Sequence, residues 1–384
     1  MQNFVFHNPV KVYFGKGQIA ALTGALPASG KVLMTYGGGS IKANGVYDQV
    51  KAALAGRTVV EFGGIEANPR YETLMRAVEL GRAEHVEFIL AVGGGSVVDG
   101  TKFIAAAIPF AGEPWDILAK AAPVAAAVPF GCVLTLPATG SEMNMYAVVS
   151  RDATREKLAF GSPMVWPVFS VLDPESTYTL PARQLGNGIV DAFVHVLEQY
   201  LTYPDDAPLQ ERTAEAILST LVEIAPAAMA MPPDYRARAN LMWCACSALN
   251  GLVRAGVPED WTTHAMGHEL TALTGLDHAR TLAVVLPAVM QVQRQTKRLK
   301  LLQYGARVWG VTKGKENTRI DETIARTRAF FESVGLPTRL ADHGIAAAVG
   351  EEIVVRLDGR GAFPLGERRD IDAERARKIM ALAA

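Results

Sequence analysis

The chain is short of cysteine, of net charge and of long apolar runs, and each shortage removes a class of protein. Three cysteines, Cys132, Cys244 and Cys246, stand among 384 residues. They are too few and too odd in number for a disulfide framework, so a reducing, cytoplasmic compartment is expected. The 38 basic and 39 acidic residues leave a net charge of −1. No global field is available to hold nucleic acid or an anionic membrane surface. The most apolar stretch, Ala121–Leu136, contains Pro123 and Pro129 and falls short of the roughly 20 residues of a membrane span. The first residues, MQNFVFHNPVKVYFGKG, show no basic segment followed by an apolar run, so no secretory signal is expected. No repeat is visible, and the one biased tract is the Ala-rich run Ala121–Ala127.

What is abundant is apolar side chain. Hydrophobic residues make up 49%, enough for a large core and too many for a disordered chain. The length suggests two domains or three. The first half alternates short apolar runs with helical segments. Lys31–Tyr36 ends in Gly37-Gly38-Gly39-Ser40, Thr58–Phe62 in Gly63-Gly64, Phe88–Val92 in Gly93-Gly94-Gly95-Ser96, and Cys132–Leu136 in the Pro137–Ser141 stretch. Tyr71–Ala83 and Val97–Ala107 read as helices between them. Strand, glycine turn and helix in repetition predict a parallel sheet with helical crossovers, covered on both faces. From about Pro181 onward long helical patterns take over, separated by breaks at Pro204–Pro208, Pro226–Pro233 and Pro258. The expected boundary lies near Tyr178–Arg183, with an α/β domain over 1–180 and a helical domain over 181–384. The charged tail after Gly350 reads as helical and carries no assigned function.

Small residues just past a strand leave backbone N–H groups free to face an anion, and the following helix adds its positive end. Gly93-Gly94-Gly95-Ser96 before Val97–Ala107 has this form. It is either a tight turn or a cradle for a pyrophosphate. Several such loops in one half-chain favour the cradle, because successive parallel strands bring their ends to one sheet edge. The spacing is not G-x-G-x-x-G. Asp99, in the first turn of that helix, either caps it or touches a ribose or nicotinamide amide. No Asp or Glu occurs in Lys31–Gly45, where an NAD site offers a carboxylate to the ribose. Gly37–Ser40 and Lys42 suit a 2′-phosphate, so NADP(H) is expected.

Four of the seven histidines fall in two short stretches. Asp191 and His195 are four apart in GIVDAFVHVLEQYL, which places both on one face of a helix that is apolar almost all round. A buried carboxylate and imidazole need a partner. They either pair with each other or share a divalent cation. His264 and His268 repeat the spacing in THAMGHEL, and His278 follows in GLDHARTLAVVLP. One carboxylate and three imidazoles make a site for zinc or iron(II) with room for an exogenous ligand. Either motif alone is weak; the two together, in a chain with nucleotide loops, favour the cation. His268 is surplus: a fifth ligand, a proton relay or a hydrogen bonder, of which the relay is favoured because imidazole titrates near neutrality. His7, His85 and His343 stand in polar or loop contexts.

On these residues the sequence resembles the iron-containing, group III, alcohol dehydrogenases, nearest to their NADPH-dependent butanol dehydrogenase and broad-range aldehyde reductase subgroup. The likeness runs along essentially the whole chain. Its anchors are FGKG at Phe14–Gly17, GGIEANP at Gly63–Pro69, GGGSVVDGTKFIA at Gly93–Ala105, TLPATGSE at Thr135–Glu142, LDP at Leu172–Pro174, and the two histidine motifs. The resemblance implies an N-terminal Rossmann-like dinucleotide-binding domain followed by an all-α metal-binding domain, the dehydroquinate synthase-like or iron alcohol dehydrogenase fold. It implies Asp191, His195, His264 and His278 as metal ligands. It implies cofactor contacts at Gly38, Gly39, Ser40, Asn68, Gly94, Gly95, Ser96, Asp99, Thr135, Thr139, Ser141 and Lys157. Relatives that use NAD often carry Asp where Gly39 stands here. Members are dimers or larger assemblies, so a homodimer is expected.

The implied activity interconverts primary alcohols and aldehydes by hydride transfer, with a divalent ion, zinc or iron, polarising the carbonyl and His268 passing a proton. A glycerol dehydrogenase-like polyol oxidoreductase, or a dehydroquinate synthase-like enzyme, is the nearest alternative of the same architecture. The D/H/H/H pattern and TLPATGSE favour the alcohol dehydrogenase. A phosphate-bearing substrate would call for several basic residues near the ligands, and only Arg280 is obvious. A zinc hydrolase would have no use for the glycine loops, and a non-catalytic binding protein would have no use for the full ligand set. One departure stands out: Met143, Met145 and Tyr146 follow GSE where relatives have small residues. They either narrow the nicotinamide end of the pocket or pack away from it.

Overall fold

A computed structural model describes residues 1–384. Contacts divide the chain into two units, which are not the contiguous halves expected from the sequence. One comprises His7–Pro181 and Pro232–Cys246, the other Met1–Phe6, Ala182–Met231 and Ser247–Ala384. Pro232–Cys246 joins the first unit for a packing reason: Met242 and Cys246 are buried with Leu134 and Leu172, and the buried Arg238 donates through Nη1 to the Thr177 carbonyl, 2.5 Å away.

The first unit is built on β1 (Lys11–Phe14), β2 (Val32–Tyr36), β3 (Val59–Phe62), β4 (Phe88–Gly94), β5 (Phe130–Leu136), β6 (Tyr146–Arg151), β7 (Glu156–Gly161) and β8 (Phe169–Leu172). Six of them form one sheet in the order β1-β8-β5-β4-β2-β3, with every pair parallel. The strands are apolar on both faces because both are covered. Leu33 and Ile89 enter a cluster with Val98, Phe103 and Ile104 of the Gly95–Ala107 helix. Their neighbours Val32, Met34, Phe88 and Leu90 enter a second cluster with Ile41, Val46 and Val50. That alternation follows from the two-residue period of a strand.

Two connections decide where a ligand can sit. From β2 the chain goes outward to β3, the edge strand, whereas from β4 it goes the other way to β5. Their loops therefore diverge, and a crevice opens between the carboxyl ends of β2 and β4, the switch point at which open α/β sheets bind ligands. Gly37–Ser40 follows β2, and Gly93–Ser96 is the junction at which β4 passes directly into the next helix.

The sequence patterns assigned neither β1 and β8 nor the β6–β7 hairpin. β1 and β8 are four residues each and pair with one another. Their ends carry FGKG and LDP, which form one junction: Gly17 N donates to Asp173 Oδ2 at 2.6 Å, and Gly15 N to the Leu172 carbonyl at 2.9 Å. Gly17 has φ 73, a left-handed conformation that favours glycine.

The second unit is helical. Its main helices are Ala182–Tyr200, Pro208–Met229, Thr262–Thr274, His278–Val292, Arg298–Arg307, Glu316–Ser333, Val349–Gly359 and Ala373–Ala383. Pro208 begins its helix, where a missing N–H costs nothing. Pro226, expected to break a helix, lies inside the same one, which runs on to Met229. Leu185–Tyr200 is buried without a gap, as its all-round apolar pattern predicts. Thr262–Thr274 lies close on His278–Val292 because Gly267 has no side chain. A Cβ there would stand 3.0 Å from Leu282 Cδ2 and Thr281 Oγ1. The tail has a purpose after all: Ile353, Val354, Leu357, Ile379 and Met380 bury Met266, Leu270, Val284 and Val285 of those two helices. Each such side chain contributes roughly 1.5–3 kcal/mol. No helix is long and apolar enough to cross a membrane.

Candidate active site

Asp191 and His195 stand one turn apart on the Ala182–Tyr200 helix, His264 and His268 one turn apart on Thr262–Thr274, and His278 opens the next helix. Ligand atoms of Asp191, His195 and His264 lie within 4.8 Å of one another, all three residues buried. His278 lies outside that mutual grouping but flanks it. Its Nε2 is 3.8 Å from Asp191 Oδ1, and its ring centre is 5.1 Å from that of His264. Asp191 Oδ1 also stands 3.8 Å from His195 Nδ1. It is buried and accepts no hydrogen bond. An ionised oxygen in that state is costly unless a cation satisfies it. The spacings are too long for hydrogen bonds. They approach the roughly 3.4 Å between ligand atoms that tetrahedral bonds of about 2.0–2.2 Å imply. The residues fit a divalent cation.

His268 sits to one side, its ring centre 5.0 Å from that of His278 and 6.0 Å from that of His264. Trp261 closes another side, its ring 5.2 Å from His264 and 6.3 Å from His195. Glu198 holds His264 from behind, with Oε2 against His264 Nδ1 and Oε1 accepting from the backbone N–H of Thr263 at 2.6 Å. Burial and the neighbouring Asp260 push its carboxyl well above the usual carboxylate range, while the Thr263 and His264 amides pull it back. Sequence reasoning passed over Trp261 and Glu198. Glu198 had a signal, because it lies seven residues past Asp191 on the same face of a buried helix.

The expected nucleotide residues gather at the sheet edge of the other unit. Gly39 has φ 103, and a Cβ on Gly38 or Gly39 would meet nothing within 4 Å. Backbone is thus open to a ligand there. The glycines of the other loop are different: side chains would collide with Val97 at Gly93, with Leu136 at Gly94 and with Thr139 at Gly95. Their first need is a tight strand-to-helix turn, and the turn aims the helix amides at the crevice. Asn68, Ser96 and Lys157 meet: Asn68 N donates to Ser96 Oγ at 3.3 Å, and Lys157 Nζ to Asn68 Oδ1 at 2.8 Å. Thr139 Oγ1 accepts from Ser141 N at 3.2 Å. Thr135, buried, is the last residue but one of β5.

Asp99 does not cap its helix. Its Oδ1 accepts from Ser141 Oγ at 2.5 Å and its Oδ2 from Val148 N at 3.0 Å, tying the helix to β6. Beneath it Lys102 is fully buried. Its Nζ donates to Ser141 Oγ (2.8 Å), Asn144 Oδ1 (2.9 Å) and the Tyr146 carbonyl (2.7 Å). Burial draws its ammonium down to about 8, against the pull of Asp99. The sequence pattern gave no hint of this brace for the TLPATGSE loop. Met143 packs on the cluster of Leu134, Leu172, Met242 and Cys246, and the Tyr146 ring covers Gly161 across the hairpin. Both side chains thus have packing partners inside the unit.

Glu61, on β3 beside β2, lies near the Gly37–Ser40 end. It accepts from Tyr47 OH and Lys51 Nζ, each at 2.9 Å. Burial raises its carboxyl, but Lys51 and Tyr47 hold it below the usual value. Its charge is therefore answered locally, while Lys42 stands 5.1 Å over each of the Tyr36 and Tyr47 rings.

The chain matches the model of the iron-containing alcohol dehydrogenase family over residues 9–174 and that of the family's C-terminal region over 187–357. It is 56% identical over 382 residues to the NADPH-dependent aldehyde reductase YqhD of Escherichia coli, covering 99% of each chain. It is 40% identical over 385 residues to a probable NADH-dependent butanol dehydrogenase of Bacillus subtilis, again covering 99% of each. Among solved structures, YqhD superposes with a TM-score of 0.99 at 55% identity, covering 100% of this chain and 99% of that one. NADH-dependent butanol dehydrogenase A of Thermotoga maritima superposes with a TM-score of 0.96 at 36% identity, with 100% and 99% covered. This chain belongs to the iron-containing alcohol dehydrogenase family.

Proposed function

We propose that the protein is a metal-dependent NADP(H) alcohol dehydrogenase and aldehyde reductase that interconverts primary alcohols and aldehydes. The observation that carries this reading is the convergence of Asp191, His195 and His264, flanked by His278, around a buried carboxylate oxygen with no hydrogen bond. The 56% identity to an NADPH-dependent aldehyde reductase supports the substrate class and cofactor.

A divalent cation on these four side chains supplies Lewis-acid polarisation of a carbonyl, and the nicotinamide supplies the hydride. The chain's own residues do the rest. Gly38, Gly39 and Ser40 offer backbone and hydroxyl to the adenosine end, with Lys42 as the nearby cation. Gly94, Gly95 and Ser96 turn helix amides toward the pyrophosphate. Asn68, Asp99, Thr135, Thr139, Ser141 and Lys157 complete the cradle, and Asp99 and Ser141 act within a hydrogen-bonded brace. His268 moves the proton between the alcohol oxygen and solvent, its ring being close enough to His278 to reach the same reacting group.

The assembly proposed is a homodimer. Phe4, Val5 and Phe6 of the extended N-terminal segment are exposed, Val5 at 94%, and a second copy is the simplest cover for them. The three free, buried cysteines suit the reducing cytoplasm. The functional reading is tested by following NADPH oxidation by the metal-loaded protein against a panel of short-chain aldehydes. Turnover of butanal-sized substrates is expected; no oxidation with any member removes the reading.

A further inference from the structure

Glu198 serves two groups with one carboxylate. Its Oε1 accepts from Thr263 N at 2.6 Å and from His264 N at 3.3 Å. These are the second and third residues of the Thr262–Thr274 helix, whose opening amides have no partner within it. The residue before that helix, Trp261, makes no side-chain capping bond. Glu198 Oε2 meanwhile faces His264 Nδ1. The helix carrying Asp191 and His195 thus reaches across and fixes both backbone and ring of a ligand on its neighbour.

A neutral imidazole has one N–H and one lone pair, and its surroundings choose which nitrogen is which. An ionised Glu198 can only accept at Nδ1, which keeps the ring proton there and leaves the lone pair on Nε2. We infer that Glu198 is a positioning residue of the metal centre, which selects the His264 tautomer that presents Nε2 to a divalent cation. The inference rests on the proposed ligand set of Asp191, His195, His264 and His278. The start of the helix has a second anchor that does not involve Glu198's side chain. Asp260 Oδ1 accepts from Thr262 N at 2.9 Å and from Thr262 Oγ1 at 2.6 Å, and Lys297 pairs with Asp260 at 2.7 Å. Altering Glu198 therefore leaves the helix start held.

Glu198→Gln separates the two duties. Its amide oxygen still accepts from the two backbone amides, but its NH2 group faces Nδ1 and drives the ring proton to Nε2. The measurement is the zinc dissociation constant of the full-length, metal-stripped protein, read by competition with a chelating dye, alongside its unfolding midpoint in excess chelator. Zinc binding by Glu198→Gln is expected to weaken about 10- to 100-fold, with the midpoint close to that of the parent. Glu198→Asp, which keeps the carboxylate, is expected between the two. Parent-like affinity in Glu198→Gln overturns the inference. So does a loss of affinity matched by an equal loss of stability in the stripped chain, which leaves Glu198 a helix cap alone. A parent protein that takes up no zinc instead removes the ligand set itself.

Discussion

Gly95→Ala tests how tightly the cofactor edge is built. Gly95 opens the helix after β4, at an ordinary helical φ, so backbone strain does not enter. Space does. An added Cβ would come to 2.5 Å from Thr139 Cγ2 and closer still to its Oγ1. Thr139 sits on the TLPATGSE loop, where Oγ1 also accepts from Ser141 N, so it yields only by moving the loop. Overpacking of this kind costs about 1–3 kcal/mol, offset by less than about 1 kcal/mol of helix propensity. A net loss of about 2 kcal/mol is expected, with a raised KM for NADPH and unchanged metal content. Thr139→Ala alone loses one hydrogen bond, about 1 kcal/mol. It also removes both colliding atoms. The double variant is therefore expected to cost about 1 kcal/mol rather than 3, a coupling of about −2 kcal/mol. Urea unfolding of the four proteins measures it. Simple additivity, or a neutral Gly95→Ala, refutes the contact.

Three further outcomes are expected. Gly39→Asp enters open space, but φ 103 makes it strained, at a cost of about 1–2 kcal/mol in stability; its charge opposes a 2′-phosphate by about 2 kcal/mol, so the NADPH-to-NADH ratio of kcat/KM should fall about 30-fold, and an unchanged ratio contradicts the placement. Lys102, held at about 8 in the folded chain against an ordinary 10.5, binds its proton more tightly once unfolded, so its favourable contribution is present above pH 10.5 and is lost as pH falls through about 8. The folded chain should thus gain up to about 3 kcal/mol from this group between pH 8 and 10.5; Lys102→Met should lack that gain, and a pH-independent difference between the two in urea unfolding contradicts the burial argument. His268→Ala should keep one metal per chain and lose about 100-fold or more in kcat; loss of the metal would make His268 a ligand instead of a relay.

Much of the architecture was legible because it rests on local patterns. The runs ending in Gly37, Gly63 and Gly93 lie in strands that begin within a residue of their expected starts, since a parallel strand covered on both faces is a continuous apolar run with a turn behind it. β1, β8 and the β6–β7 hairpin were not read. KVYF and FSVL are too short to show a period, and their pairing joins segments more than 150 residues apart. Pro226 misled for a different reason: proline forbids one intrahelical bond, and this exposed proline lies in the last turn of its helix, where the buried Ala225 and Ala228 hold the chain on either side. The allotment of Pro232–Cys246 to the α/β unit depends on where Met242 and Cys246 find their neighbours, which no local signal encodes.

The site shows the same division. The i, i+4 spacing of Asp191 with His195, and of His264 with His268, is written in the sequence because a helix turns it into one face. Which of the histidines gather closest is a tertiary matter. Lys102 was silent because a buried charge looks like any other charge until its partners are known, and the one signal for Glu198, its place on the Asp191 face of a buried helix, does not say what it holds. Asp99 does not cap its helix, the simpler of its two expected roles, because its carboxylate is taken by Ser141 and Val148.

Removal and return of the metal tests the central claim most directly. Chelator-stripped protein should lose NADPH-dependent aldehyde reduction, and one equivalent of a divalent ion per chain should restore it. Restoration should fail in Asp191→Asn and His278→Ala, which keep the nucleotide edge intact. Undiminished turnover in the stripped protein, or equal restoration in those variants, would contradict the account.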